Sequence, residues 1–328
     1  MYASFRLRTL ANASFIPFLL YCSLLLTSAT PLQASSQNST VIPFTEVGGQ
    51  LLIDAVVDGR TGKLILDTGA EGLVLNQKYF SGCARNHTNS KGLFGDVEAA
   101  QAWVRQLSVG GLELVPTRAA VVDLEHLARN HDFQLLGLLG HATLKAYAIT
   151  LDYRNQVVVF SPANAFSPFA GQYADSFAFE LENFIPVIEV TLAGRSLRMG
   201  LDTGAEYNLL DPRHADHATP YFKRERKVRV LSADGRSARI RGGKLYRVLL
   251  GQRHTCAAMG TLVVDLSHLE DIYGTELDGI LGREFLGPWV FTIDYPRRML
   301  YVHRFTPAPV PVPAVDRGIP WASFRTPF

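Results

Sequence analysis

Cysteine is scarce in this chain, with three in 328 residues, and no Cys-x-x-Cys occurs. Gly-x-Ser-x-Gly, His-Glu-x-x-His and the phosphate-binding P-loop string are also missing, so serine-hydrolase, zinc and nucleotide chemistry have no motif to rest on. Charge of one sign is not in excess: 32 basic and 30 acidic residues leave a formal net charge of +2, which points to neither nucleic acid nor an acidic membrane surface. No cofactor and no metal are expected. The chain is 47% hydrophobic and 19% charged, too apolar for general disorder and long enough for two packed lobes.

The one sustained apolar run lies near the N-terminus. Arg6 and Arg8 precede residues 16–26, and the small residues Thr27, Ser28 and Ala29 follow, which reads as a secretory leader over residues 1–34. Pro17 interrupts the run, which is shorter than the roughly 20 residues that span a bilayer, so a leader fits better than an uncleaved anchor and no membrane insertion is expected afterwards. A secreted or periplasmic protein follows. Loss of the leader removes Cys22 and leaves Cys83 and Cys256, one in each half of the chain. A disulfide between them would staple the halves; two buried thiols is the alternative.

Internal repetition organises the rest. Leu66-Asp67-Thr68-Gly69-Ala70-Glu71 returns as Leu201-Asp202-Thr203-Gly204-Ala205-Glu206, an offset of 135 residues. Val121-Val122-Asp123-Leu124 returns as Val263-Val264-Asp265-Leu266, Leu138-Leu139-Gly140 as Ile280-Leu281-Gly282, and Thr150-Leu151-Asp152-Tyr153 as Thr292-Ile293-Asp294-Tyr295, all offset by 142. A duplication with one seven-residue length change leaves this pattern. The first lobe is assigned to residues 35–170 and the second to 171–305, with a Pro-rich extended tail over 306–328.

Short Val, Ile and Leu-rich runs bounded by Gly, Asp and Asn predict strands at 50–57, 63–66, 149–152 and 157–160, and again at 183–192, 198–201, 290–294 and 299–303. The fold is therefore expected to be mostly β. Short helices are predicted near 76–80, 124–129, 212–217 and 266–271, and hairpin tips near Gly95 and Gly235.

A lone Asp-Thr-Gly means little, but here it occurs twice, each time closing an apolar strand and each time followed by an apolar-apolar-Gly block. On these residues the chain resembles the aspartic peptidases, specifically the retropepsin-like enzymes with two lobes in one polypeptide. The resemblance covers residues 45–305 and implies two β-barrel lobes, a pseudo-twofold axis and a cleft between them. It implies that Asp67 and Asp202 are catalytic, that Thr68 and Thr203 bond across the axis, and that Gly69, Ala70, Gly204 and Ala205 complete the supporting loops. Gly95 and Gly235 would tip the flaps that close over a peptide. Ala70 and Ala205 stand where pepsins carry a hydroxyl, so a pepsin-like acid optimum does not carry over.

The chemistry itself asks for two carboxyl groups: one takes a proton from water while the other gives one to the substrate, and two like charges held together cannot both ionise. The expected function is an aspartic endopeptidase, acting as a monomer on peptides or proteins, with a non-catalytic peptide-binding protein as the rival. Asp123, Asp152, Asp265 and Asp294 also repeat but lack the Thr-Gly, which suits turn or strand-end residues. His214 and His217 have metal-pair spacing without a third ligand, and the basic run 223–229 reads as a solvated edge strand.

Overall fold

The computed structural model describes residues 38–83, 85–92, 95–128, 132–168, 173–231, 237–256 and 258–303. The leader-like residues 1–34, the tail 306–328 and Gly235 lie outside the described residues. In the first copy the strands are β1 (Thr40–Val47), β2 (Gln50–Val57), β3 (Arg60–Leu66), β4 (Leu73–Asn76), β5 (Arg85–Gly92), β6 (Gly95–Val104), β7 (Leu107–Val109), β8 (Leu112–Leu114), β9 (Thr117–Val122), β10 (Leu135–Leu139), β11 (Tyr147–Asp152) and β12 (Val157–Pro162). In the second they are β13 (Tyr173–Ala178), β14 (Glu180–Glu182), β15 (Ile185–Leu192), β16 (Arg195–Leu201), β17 (Asn208–Leu210), β18 (Phe222–Leu231), β19 (Ser237–Leu245), β20 (Val248–Leu250), β21 (His254–Cys256), β22 (Met259–Val263), β23 (Gly279–Leu281), β24 (Val290–Asp294) and β25 (Met299–His303).

The eight predicted strands all form, several a few residues longer than the apolar runs, because polar hairpin ends such as Arg60-Thr61 also pair. Four short helices stand where the sequence placed them: α1 (Gln77–Phe80), α2 (Glu125–Ala128), α4 (Ala215–Ala218, preceded by a 3-10 turn at Pro212–His214) and α5 (Ser267–Tyr273). Two of the repeated aspartates bond to amides at the starts of α2 and α5, and the other two close hairpins. Asp123 Oδ1 accepts the Glu125 amide at 2.9 Å and Asp265 Oδ1 that of Ser267 at 3.0 Å, while Asp152 and Asp294 accept the amides of Asn155 and Arg297. Two further helices, α3 (His141–Leu144) and α6 (Arg283–Leu286), follow the apolar-apolar-Gly blocks and were not foreseen.

In each copy the strand that ends at the Asp-Thr-Gly lies parallel to the apolar-apolar-Gly strand: Leu66 faces Leu139 across β3 and β10, and Leu201 faces Leu281 across β16 and β23. Such parallel strands are covered on both faces and so read as continuous apolar runs. The copies meet through β11 and β24, which pair antiparallel with Thr150 opposite Thr292. These two threonines are equivalent by the 142-residue offset, so the pseudo-twofold axis passes between them, and their hydroxyls bond at 2.7 Å. The strand path runs β13-β25-β24-β11-β12-β1-β2-β3-β10-β4-β9-β6-β5 in one sheet and β18-β19-β22-β17-β23-β16-β15-β20-β21 in the other. The chain is mostly β in two sheets, consistent with the two duplicated lobes expected, and neither path closes into a barrel among the described residues. An apolar cluster that includes Phe44, Tyr153, Phe160, Phe179, Phe291 and Ile293 spans both copies, which welds the junction.

Cys256 is a free, buried thiol, so the disulfide that would have stapled the halves through it is not formed.

Candidate active site

Strand β3 ends at Leu66 and β16 at Leu201, and both delivered loops are tied down in the same way. The amide of Asp67 donates to Leu139 O and that of Asp202 to Leu281 O, each at 3.0 Å. Each loop then turns on itself, with Ala70 N donating to Asp67 O and Ala205 N to Asp202 O at 3.4 Å. On the far side Ala70 O accepts from His141 N at 2.9 Å and Ala205 O from Arg283 N at 2.8 Å. This explains the glycine of the apolar-apolar-Gly blocks. A Cβ on Gly140 would come within 2.5 Å of Ala70 O, and one on Gly282 within 2.4 Å of Ala205 O.

The two loops grip each other through their threonines. The hydroxyl of Thr68 accepts from Thr203 N at 3.0 Å and donates to Leu201 O at 2.8 Å. The hydroxyl of Thr203 accepts from Thr68 N at 3.1 Å and donates to Leu66 O at 2.7 Å. Both threonines are fully buried. Four bonds therefore cross the axis, and each hydroxyl serves as donor and acceptor at once.

The clasp brings the carboxyl groups together. Asp67 Oδ1 accepts the Gly69 amide at 2.9 Å, and Asp202 Oδ1 accepts that of Gly204 at 2.8 Å. The same glycines admit the opposite aspartate. A Cβ on Gly69 would sit 2.6 Å from the Asp202 carboxyl, and one on Gly204 2.6 Å from that of Asp67. The side chains of Asp67 and Asp202 are thereby set against each other across the axis, close enough for a proton to be shared between them. Burial, first of all, raises the pKa of both above the usual carboxylate value. For Asp67 the charge of Asp202 and the shared bond add to the rise; for Asp202 the Gly204 amide and the bond from Asp67 hold it down. As a coupled unit the pair retains one proton over a pH range in which two isolated carboxyls would have none.

Three tyrosines surround the pair, and the sequence reading gave none of them a part. Tyr273 of α5 donates across the axis to Gly69 O at 3.4 Å. Tyr153 and Tyr295, equivalents by the 142-residue offset, follow β11 and β24 and are 5% and 4% exposed. Burial raises the pKa of each; at Tyr153 the Arg283 charge works against the rise while Glu46 and Asp202 add to it, and at Tyr295 both Asp67 and Asp202 add to it. Their settings match: Phe44 meets Tyr153 edge-on at 5.8 Å, and Phe179 meets Tyr295 at 6.1 Å. The repeat of Asp-Tyr at 152–153 and 294–295 was the available signal. The symmetry fails at one point. Arg283 lies over Tyr153 at 4.9 Å and pairs with Glu46 at 2.6 Å, whereas its equivalent His141 lies beside Tyr295 at 5.4 Å with its Nε2 unpartnered.

Beside the first loop a pocket of about 460 Å³ is lined by Glu71, His141 and Lys145 from one copy and Asn183, Phe184 and Ile272 from the other. Gly95 opens β6, paired with Gly92 at the end of the β5-β6 hairpin, and the connection holding Gly235 joins β18 to β19. The imidazoles of His214 and His217 part company, with Nε2 of the first 2.6 Å from Asp278 Oδ1 and that of the second 3.1 Å from Ala193 O.

No curated protein matches the chain. The family model described as aspartyl protease matches twice, over residues 53–142 and 188–285, once in each copy and together across more than half of the sequence. Each match contains one Asp-Thr-Gly loop and its apolar-apolar-Gly strand, and on that ground the chain belongs to the aspartyl protease family.

Proposed function

We propose that this protein is an aspartic endopeptidase that cleaves peptide bonds with a water activated between Asp67 and Asp202. The observation that carries the reading is the carboxyl pair brought together across the axis by the reciprocal Thr68–Thr203 clasp, with both pKa values raised. The ionised member takes a proton from water as its oxygen attacks the carbonyl carbon, and the protonated member gives its proton to the carbonyl oxygen. As the resulting diol collapses, one of its hydroxyls gives a proton to the ionised member while the protonated member gives its own to the leaving nitrogen, so the amide bond breaks and the dyad again ends with one proton. The amides of Gly69 and Gly204 fix the carboxyl planes during these transfers. The pocket beside Glu71 offers room for a substrate side chain next to the dyad loop.

Incubation with a diverse peptide mixture tests the proposal. Internal cleavage by the wild type, abolished in both Asp67→Asn and Asp202→Asn, is expected; no cleavage at any pH from 3 to 9, or cleavage that survives both substitutions, refutes it. Substrates are met after export, a reading that rests on the leader-like residues 1–34. Sequencing the N-terminus of the mature protein checks this, and an intact Met1 rules it out.

A further inference from the structure

The hairpins β5-β6 and β18-β19 are equivalent in position. Only Ala100–Val104 of β6 pairs with β9, and only Arg241–Leu245 of β19 pairs with β22, so each hairpin continues past its lobe sheet as a two-stranded arm. The last shared rungs are matched as well, His87 opposite Ala100 and Lys227 opposite Arg241. Between those rungs the sequences diverge sharply in charge. Among the described residues the first arm holds Lys91 against Asp96 and Glu98, a net of −1, and the second holds Lys227, Arg229, Arg239 and Arg241 with no acid, a net of +4. A chain whose total is only +2 thus concentrates its positive charge on one arm.

Within that arm the cations are aligned in the least comfortable way. Lys227 is opposite Arg241, and like charges on directly facing positions repel; the backbone register places Arg229 opposite Arg239. Lys227, Arg239 and Arg241 are exposed, while Ile240, which alternates with the two arginines, packs on the apolar cluster bordered by Ala205 and Tyr207. Among the described residues none of the three exposed cations has an acidic partner. The arm therefore turns an uncompensated cationic face outward from the lobe and roots itself, through its opposite face, beside the Asp202 loop. Its outer strand β18 is also the end of its sheet, with no strand along its outer backbone edge among the described residues.

We propose that the β18-β19 arm is an exosite for an acidic, extended segment of a polypeptide substrate. The residues of one face of a strand repeat about every 6.7 Å, so an extended segment with Asp or Glu at alternate positions presents carboxylates at the repeat of Arg239 and Arg241, with Lys227 opposite the latter. The outer edge of β18 supplies N–H and C=O groups that a peptide backbone can pair with and a nucleic acid cannot, and this selects the polypeptide among anionic partners. The site lengthens the substrate contact beyond the dyad and rests on the peptidase reading for its use, though not for its binding.

Binding and cleavage are therefore read separately. A dye-labelled peptide of alternating Glu and Thr, and its Gln-Thr counterpart, are titrated by fluorescence anisotropy against the full chain and against the triple variant Lys227→Gln/Arg239→Gln/Arg241→Gln, whose positions are exposed and whose melting temperature verifies folding. The acidic peptide should bind at least about tenfold more tightly than the neutral one, and lose that margin in the triple variant or at high salt. Equal binding of both peptides, or an acidic preference untouched by the triple substitution, overturns the inference. So does arm-dependent binding of a single-stranded oligonucleotide without binding of the acidic peptide. In parallel, a neutral cleavable peptide should be cut equally by wild type and triple variant, while an acidic extension on it should raise kcat/KM only in the wild type. Arm-dependent binding with no cleavage of any peptide would leave the exosite standing and remove the peptidase.

Discussion

Replacing Thr68 with Val keeps the side-chain shape and deletes the hydroxyl, which isolates what the clasp contributes. The wild-type hydroxyl holds two bonds, from Thr203 N and to Leu201 O, in a place with no solvent access. Valine leaves one buried amide and one buried carbonyl without partners, each at a cost of about 1–3 kcal/mol, so the substitution should destabilise by ~2–6 kcal/mol. Thr68→Ser keeps both bonds and removes one methyl, at a cost of ~1 kcal/mol. Equilibrium urea unfolding, followed as a midpoint shift at constant slope, separates the two variants. Thr203 makes the mirror-image pair of bonds, so Thr203→Val should match Thr68→Val, and because the two threonines bond each other directly the double variant should depart from the sum of the two. Peptidase activity should fall with the Val variants and persist in the Ser variants. If Val and Ser cost the same at position 68, the clasp does not hold the loops and the account of the dyad geometry fails.

Asp67→Asn should be more stable than the wild type at neutral pH, with the advantage fading in acid. A carboxyl whose native pKa is raised above its usual 3.8 binds protons more tightly folded than unfolded, so between those values stability falls as pH rises, and the amide is free of that penalty. Melting curves at pH 4 and pH 7 read it, and a variant that loses ground toward neutrality contradicts it. Gly69→Ala should abolish cleavage while the secondary structure stays, because the added Cβ would lie 2.6 Å from the Asp202 carboxyl and force the pair apart; retained activity with normal KM would mean the loops have slack they do not show. The Cys256 thiol, pushed up to about 11 by burial and 5% exposed, should resist alkylation at pH 8 in the folded protein and react in urea, as followed by peptide mass mapping; rapid labelling of native protein would place it at the surface.

What the sequence made legible is what the duplication wrote twice. The dyad, the threonines, the apolar-apolar-Gly strands and the aspartates at the starts of α2 and α5 recur at fixed offsets, and each forms the same local bonds in both copies. The four-residue helices α3 and α6 also recur, but one turn is too short to show a period, and they owe their place to amides that reach back to Ala70 and Ala205. Strand β5, Arg-Asn-His-Thr-Asn-Ser-Lys-Gly, has no apolar alternation at all and is a strand only because β6 lies beside it. Hardest to foresee were the features that break the repeat. Arg283 reaches Glu46 across 237 residues, and the equivalents of these two are His141 and Leu181, which cannot form an ion pair. The cationic arm has the same character, since its equivalent carries the opposite net charge. A two-carboxyl site needs the copies to be alike only where they touch the axis; a peptide that lies across that axis has a direction, and its two halves are met by different surfaces. Repetition therefore marks the chemistry, and departure from repetition marks where recognition of a directional substrate can be built.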